Sequence, residues 1–292
     1  MKFAYYPGCS PKSTTSELDN TTKKIAEKLD IELVELKEAS CCGSVEARLR
    51  NSDLYHALNA RTLAMAEKLG LNILTICPTC QLNLAEVNKN LRESHELLER
   101  TNEVLSKVNL SYNGGVEVKH LLWVLLEDVG VEKLRDKVVK PLASVKVAPF
   151  YGCHILRPKE ILGFDDPYNP TSLESFIRTC GAEPVHYSGK TKCCGFHILF
   201  VNEKLATKMS GQHLKEAKDN GAECVVTPCP LCHTTLDAYQ TAANKGSNIK
   251  LDLPVFHLPQ LLGLALGMDS KELMLSKHMV SLKNILDKIG SV

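Results

Sequence analysis

Two rhythms of apolar and polar positions alternate along this chain, and the alternation runs through twice. Lys2–Tyr6 predicts a strand, Ser16–Leu29 follows a helical period, and Ile31–Leu36 is again strand-like. Leu54–Leu69 predicts a helix closed by Gly70, and Asn72–Ile76 a short apolar strand. The later sequence matches: Val145–Tyr151 strand, Ser172–Thr179 helix, Pro184–Tyr187 strand, Lys204–Asn220 helix, Cys224–Thr227 strand. Short apolar runs between helices suit strands covered on both faces. The predicted fold is therefore α/β, two pseudo-symmetric repeats with mainly parallel sheets flanked by helices. Gln81–Val108 reads as one long helix with leucines at 84, 91, 98 and 105. A seven-residue spacing can mark a seam with another helix; packing within this chain is the simpler expectation.

The cysteines carry the same repeat. Cys9 is followed by Cys41-Cys42-Gly43 and then Cys77-Pro78-Thr79-Cys80; Cys153 is followed by Cys193-Cys194-Gly195 and then Cys229-Pro230-Leu231-Cys232. The CCG and CPxC elements of the two copies are displaced by the same 152 residues. Further on, Val118–Leu121 with Leu125 and Gly130 echoes Val255–Leu258 with Leu262 and Gly267, displaced by 137, so the first copy holds 15 extra residues before this point. Two halves follow, 1–142 and 143–292, each with one cysteine set. No Pro/Gly/Ser-rich linker divides them, which predicts tight packing.

Charge changes the picture by exclusion. Among 292 residues, 35 Lys+Arg face 34 Asp+Glu, so nothing steers the chain towards nucleic acid or an anionic surface. The longest unbroken apolar run, Leu121–Leu126, is far too short to span a membrane. Absence of an export signal makes a reducing cytoplasm the expected location, without membrane insertion. No Walker loop or GxGxxG occurs, so neither nucleotide nor flavin is expected on this chain.

Twelve cysteines then point to metal or redox chemistry. Cys9, Cys77, Cys153 and Cys229 fall at predicted strand exits, where α/β folds collect ligands. Pro78 and Pro230 suit a first helical turn, and a helix N-terminus favours thiolates. A structural zinc site needs four ligands, whereas each half offers five. Adjacent cysteines strain to chelate one metal, but they can reach different irons of one cluster.

On these two motif copies the chain resembles the cysteine-rich CCG-domain family, and within it the B subunits of the soluble heterodisulfide reductases of methanogenic archaea. The resemblance implies two noncubane [4Fe–4S] clusters, held by Cys9, Cys41, Cys42, Cys77 and Cys80 and by Cys153, Cys193, Cys194, Cys229 and Cys232. It implies that both clusters face the site where the disulfide of coenzyme M and coenzyme B is cleaved; because that cleavage takes two electrons and a cluster normally passes one, each cluster is expected to supply one electron. Implied partners are a ferredoxin-like iron–sulfur subunit and a flavin-bearing subunit, which fits the lack of a ferredoxin CxxCxxC run here. Anionic coenzymes would call for cations near the motifs: His154, Lys192, His197 and Arg48 are the candidates, with Lys12 and His233 nearby. Related subunits of lactate, glycolate and succinate-oxidising systems share the motif, so an electron-transfer subunit is an alternative, and a zinc-stabilised structural module a third. Cys180 and Cys224 fall outside the motifs and are expected in the core. His120 and His257 are expected to cap or pack against helix starts, and Trp123 and Leu258–Leu266 to be core or subunit interface.

Overall fold

The computed structural model describes residues 1–143, 145–246 and 250–290. Its described strands form two four-stranded sheets. In the first, β1 (Lys2–Tyr6), β2 (Glu32–Glu35), β3 (Ile73–Thr75) and β4 (Val118–His120) lie in the order β2-β1-β3-β4. In the second, β5 (Lys146–Pro149), β6 (Glu183–Pro184), β7 (Cys224–Thr227) and β8 (Val255–His257) lie in the order β6-β5-β7-β8. Every pairing is parallel, with Ala4 opposite Ile73 and Val147 opposite Cys224. The α/β fold with parallel sheets is as predicted. β3, β7 and β8 are buried throughout, as strands covered on both faces must be. The predicted half 143–292 includes residues 144, 247–249 and 291–292, which lie outside the described residues.

This strand order fixes where a site can form. Strand order reverses between β1 and β3, and again between β5 and β7, so the chain leaves these neighbours towards opposite faces and opens a crevice at their carboxyl ends. Cys9 and Cys77 follow β1 and β3; Cys153 and Cys229 follow β5 and β7.

Helix α1 (Ser16–Lys28) links β1 to β2. α2 (Ser44–Arg50) and α3 (Ser52–Lys68) follow the first CCG element, and the Asn51 side chain caps α3 by accepting from Leu54 N–H at 2.9 Å. The predicted single helix over 81–108 is instead two, α4 (Pro78–Glu93) and α5 (His95–Ser106). Ser94 is extended at φ −130°, and its hydroxyl accepts from Leu97 N–H, so a polar cap restarts the helix where periodicity alone continued it. Leu84, Leu91 and Leu105 are buried with Tyr55 and Leu63, and Leu98 packs on the same cluster. The leucine spacing thus serves packing within the chain.

One apolar core runs across both sheets, joining Tyr5, Ile25, Leu122 and Leu125 to Phe176, Phe256, Leu258 and Leu262. Trp123 stacks on Phe164 at 4.7 Å in this core, and Cys180 and Cys224 are fully buried in it. Beneath the second cysteine set lies a buried ion pair. Lys190, 6% exposed, pairs with Glu174, which also accepts from Tyr151 Oη. The Lys190 carbonyl accepts from Tyr151 N–H (2.8 Å) and Gly152 N–H (3.3 Å), just before Cys153. Lys190→Met strands the Glu174 carboxylate in the interior and should cost about 3–5 kcal/mol in denaturant unfolding, whereas adding Glu174→Leu should restore most of it.

Candidate metal centre

Each cysteine set is assembled from three chain segments. Cys9 turns off β1 after Gly8, whose φ of +86° suits glycine. Cys41 and Cys42 sit on the loop beyond β2, ended by Gly43 at φ +82°. Cys77 is the N-cap of α4, with Pro78 in the first turn and Cys80 just after it. The sulfurs converge: Cys41 Sγ is 3.6 Å from Cys9 Sγ, and Cys42 Sγ is 3.6 Å from Cys80 Sγ. The second set repeats the arrangement, with Cys229 as the N-cap before Pro230 and Cys232 within the same turn.

Small residues and donors shape the cradle. A Cβ at Gly8 would lie 2.8 Å from Cys80 Sγ, and one at Gly152 2.8 Å from Cys232 Sγ. Gly43 N–H donates to Cys41 Sγ and Gly195 N–H to Cys193 Sγ, both at 3.4 Å. Asn83 Nδ2 donates to Cys42 Sγ at 3.4 Å and to the Ser44 carbonyl at 3.0 Å. Tyr6 Oη holds the cysteine-pair loop through the Ser40 carbonyl at 2.8 Å, and His213 Nε2 lies 3.1 Å from the Cys193 carbonyl. Motif spacing alone did not point to Asn83. Its counterpart displaced by 152 is Thr235, whose hydroxyl donates to the Cys232 carbonyl at 3.0 Å, so the repeat register was the signal that could have found both.

The titration pattern follows from crowding. Hydrogen bonds from Cys42, Cys9 and Gly43 N–H pull the Cys41 thiol far down, and Cys153, Cys194 and Gly195 N–H do the same for Cys193. Their neighbours move the other way. Cys9 rises chiefly because its thiol bonds to Cys41, and Cys153 because its thiol bonds to Cys193. Cys42 is pushed up to about 12 and Cys194 to about 11, in each case first by its hydrogen bond to the preceding cysteine. Five thiolates in one place repel one another, so a set in which all five are ionised needs strongly positive ions among them. The glycine cradles, the N–H donors and five convergent sulfurs fit an iron–sulfur group.

The two sets adjoin each other. Cys77 is held well below an ordinary thiol, first by its hydrogen bond with Cys229 of the other set. Thr79 Oγ1 lies 2.9 Å from His154 Nδ1, and His120 Nε2 lies 3.2 Å from the Pro228 carbonyl. His120 also caps its helix as expected, its Nδ1 accepting from Leu122 N–H at 3.0 Å.

The sets differ in access. Cys9 and Cys41 are exposed, Cys153 and Cys193 only partly so. A cavity of about 460 Å³ abuts the first set, its opposite wall formed by Phe196, His197, Phe200, Leu231 and Tyr239 from the second half. Against the second set the space is about 10 Å³. Among the described residues the larger lining has no lysine or arginine, and Glu46 is its one carboxylate. Of the residues predicted to meet anions, His197 lines both spaces and His154 the smaller. Burial and the nearby His197, 5.2 Å away ring to ring, hold His154 below an ordinary imidazole. Lys192 is exposed and lines neither space. Arg48 is paired with Glu86 at 2.6 Å, and Lys12 with Asp19 and Glu35. His233 is buried against His257 instead.

Fold and site together define a two-repeat α/β protein built around paired cysteine clusters suited to iron and sulfide. The chain matches the cysteine-rich domain (CCG) over residues 3–85 and 147–237, and it belongs to that family. It is 43% identical over 96% of its length to the 8-methylmenaquinol:fumarate reductase membrane anchor subunit of Wolinella succinogenes, covering 97% of that protein. It is 31% identical over its full length to the B subunit of the ferredoxin/F(420)H(2)-dependent CoB-CoM heterodisulfide reductase of Methanosarcina acetivorans, covering 98% of that protein. A protein of Archaeoglobus profundus described as like the heterodisulfide reductase B subunit is 30% identical over 93% of each chain. In fold it is similar to a hypothetical protein from Helicobacter pylori at a TM-score of 0.78 and 17% identity, covering 96% of this chain and 52% of that one. Among the described residues no helix is long and apolar enough to cross a membrane.

The cradle gives a direct test. Gly152→Ala should lower iron and sulfide incorporation while far-ultraviolet circular dichroism stays unchanged. Gly70→Ala, also at positive φ (+65°) but with nothing within 4 Å of its added Cβ, should keep both at the wild-type level.

Proposed function

We propose that this chain is the iron–sulfur redox subunit of a multi-subunit oxidoreductase, and that it exchanges electrons with an apolar quinol in the cavity beside the first cysteine set. In this reading Cys9, Cys41, Cys42, Cys77 and Cys80 hold one [4Fe–4S] cluster in the half 1–142. Cys153, Cys193, Cys194, Cys229 and Cys232 hold a second in the half 143–292. Iron–sulfur groups supply one-electron steps, and a pair of them matches a two-electron carrier.

The observation that carries this reading is the cavity wall. Phe196, Phe200, Leu231 and Pro11 present apolar surface, with no lysine or arginine among the described lining residues to receive an anion. Phe196 and Phe200 meet edge to face, centroids 6.2 Å apart, leaving ring faces for a planar guest. His197 on the same wall offers ring nitrogens to a quinol hydroxyl. Phe200 and Val201 are 85% and 88% exposed beside this wall, which suits attachment at a lipid surface without insertion. The 43% relative's name supports both the quinol and the surface.

Cleavage of the coenzyme M–coenzyme B heterodisulfide is the second reading. It is favoured by the relatives named for that reaction and by the nearness of the two sets, whose motif segments meet where Thr79 lies 2.9 Å from His154, so that two one-electron centres could serve one S–S bond. In either case electrons pass to or from partner subunits, of which a ferredoxin-like and a flavin-bearing subunit are the proposed ones.

Anaerobically purified protein should contain about eight iron and eight sulfide per chain, as two four-iron clusters require; zinc without sulfide would overturn both readings. Dimethylnaphthoquinol should change the visible absorption of the oxidised protein. Phe200→Glu should slow that change about tenfold or more while reduction by dithionite is unaffected. Heterodisulfide cleavage with reduced methyl viologen, combined with inertness towards the naphthoquinol, would select the second reading.

A further inference from the structure

Behind the second cysteine set, three imidazoles and two carboxylates are packed together in the interior, and none of them lines either cavity. His233 directly follows Cys232, His257 ends β8, and Glu17 reaches in from α1. All three are buried, His257 completely. His257 Nε2 lies 3.1 Å from Glu17 Oε1. The His257 and His233 rings stack with centroids 3.7 Å apart and planes within 18°. His233 Nε2 lies 2.9 Å from the Val255 carbonyl and 3.4 Å from His278 Nδ1, and His278 Nε2 lies 3.0 Å from Gln260 Oε1. Asp237, beside His233, accepts from Met279 N–H at 2.7 Å and Val280 N–H at 3.2 Å, tying down the segment that carries His278.

Two features of this cluster are not explained by packing. The first is charge. Glu17 and Asp237 are both buried, and neither has a lysine or arginine ion-pair partner among the described residues; Glu17 meets the His257 ring, and Asp237 two backbone N–H groups. Buried carboxylates are costly unless paired or bound to metal.

The second feature is an orphan nitrogen. In the first half, His120 Nδ1 is satisfied by Leu122 N–H. The repeat places Pro259 opposite Leu122, and proline has no N–H. His257 still stands at the N-cap of its helix, its N–H donating to Gln260 Oε1 at 3.0 Å, but Nδ1 faces the first turn without completing a hydrogen bond. The ring nitrogen that caps a helix in one half is therefore left without a hydrogen bond in the other, while the opposite nitrogen of the same ring, Nε2, meets Glu17.

We infer that Glu17, His233 and His257 form a binding site for a divalent transition-metal ion of the zinc type, with His278 the side chain nearest to complete it. The three groups each place a ligand atom within 4.8 Å of the others, and His233, Asp237 and His278 form an overlapping triad by the same measure. Zinc takes nitrogen and oxygen ligands at about 2.0–2.2 Å, so binding draws the group together and splays the two parallel rings to aim at one centre. The donor set contains no sulfur, which separates it chemically from the cysteine clusters. Glu17 belongs to the first predicted half and the histidines to the second, so the ion joins α1 to β8 and the turn bearing Cys229 and Cys232. Its role is a clasp that fixes the second cysteine set against the opposite half, and it stands whichever redox partner the clusters serve.

Cobalt(II) is the probe. Anaerobic protein with its iron and sulfide in place should bind about one cobalt per chain beyond the iron content, with ligand-field bands and no thiolate-to-cobalt charge-transfer band. Thermal unfolding should shift upward on cobalt addition. Glu17→Gln, which keeps the shape and one hydrogen-bond acceptor, and His278→Ala, at the partly exposed edge, should each weaken cobalt binding at least tenfold while iron and sulfide remain at wild-type levels. No cobalt uptake, a thiolate charge-transfer band, or equal affinity in wild type and Glu17→Gln would each overturn the inference.

Discussion

Repulsion among sulfurs governs this molecule. Five cysteines per half are drawn to one crevice, and ionising them all without positive ions between them would drive the loops apart. The chain answers with backbone geometry. Gly8 and Gly152 leave out the Cβ that would strike a ligand sulfur, while Gly43 and Gly195 turn their amides onto the first cysteine of each pair. Parallel sheets with a reversal of strand order supply the crevice, and the helix starts at Cys77–Cys80 and Cys229–Cys232 supply two more sulfurs per set. What surrounds the sets serves either to hold those loops or to cover the strands from which they leave.

Much of this was legible in the sequence because it repeats. The displacement by 152 residues identified both cysteine sets and the strands that end in them, and the apolar runs between helices identified parallel sheets. Less legible was whatever depends on a single polar residue or on contact between halves. Ser94 breaks a helix that periodicity continued, because a hydroxyl cap outweighs one more turn of apolar spacing. The junction of the sets, with Thr79 against His154 and His120 against the Pro228 carbonyl, joins residues far apart in the chain, and no local pattern marks it.

For positive charge, adjacency in sequence and adjacency in space part company. Arg48 lies five residues past the first CCG element, yet α2 carries it outward to Glu86. Lys192 precedes Cys193 and stays in solvent. The wall of the larger cavity is instead aromatic and comes from the other half, on the short turn Phe196–Ile198 and the residues after it. An anionic guest and an apolar one would meet very different surroundings here, and the wall suits the second.

The shared apolar core, from Ile25 and Leu125 to Phe176 and Leu262, has a consequence for electron movement. Tunnelling rates fall steeply with separation, so two redox centres on independently moving bodies would exchange electrons at a rate set by chance approach. Groups held by the two cysteine sets of this chain would stand at the ends of sheets that share one core. Their spacing would then be a property of packing rather than of chance approach, and little nuclear rearrangement would accompany a transfer between them.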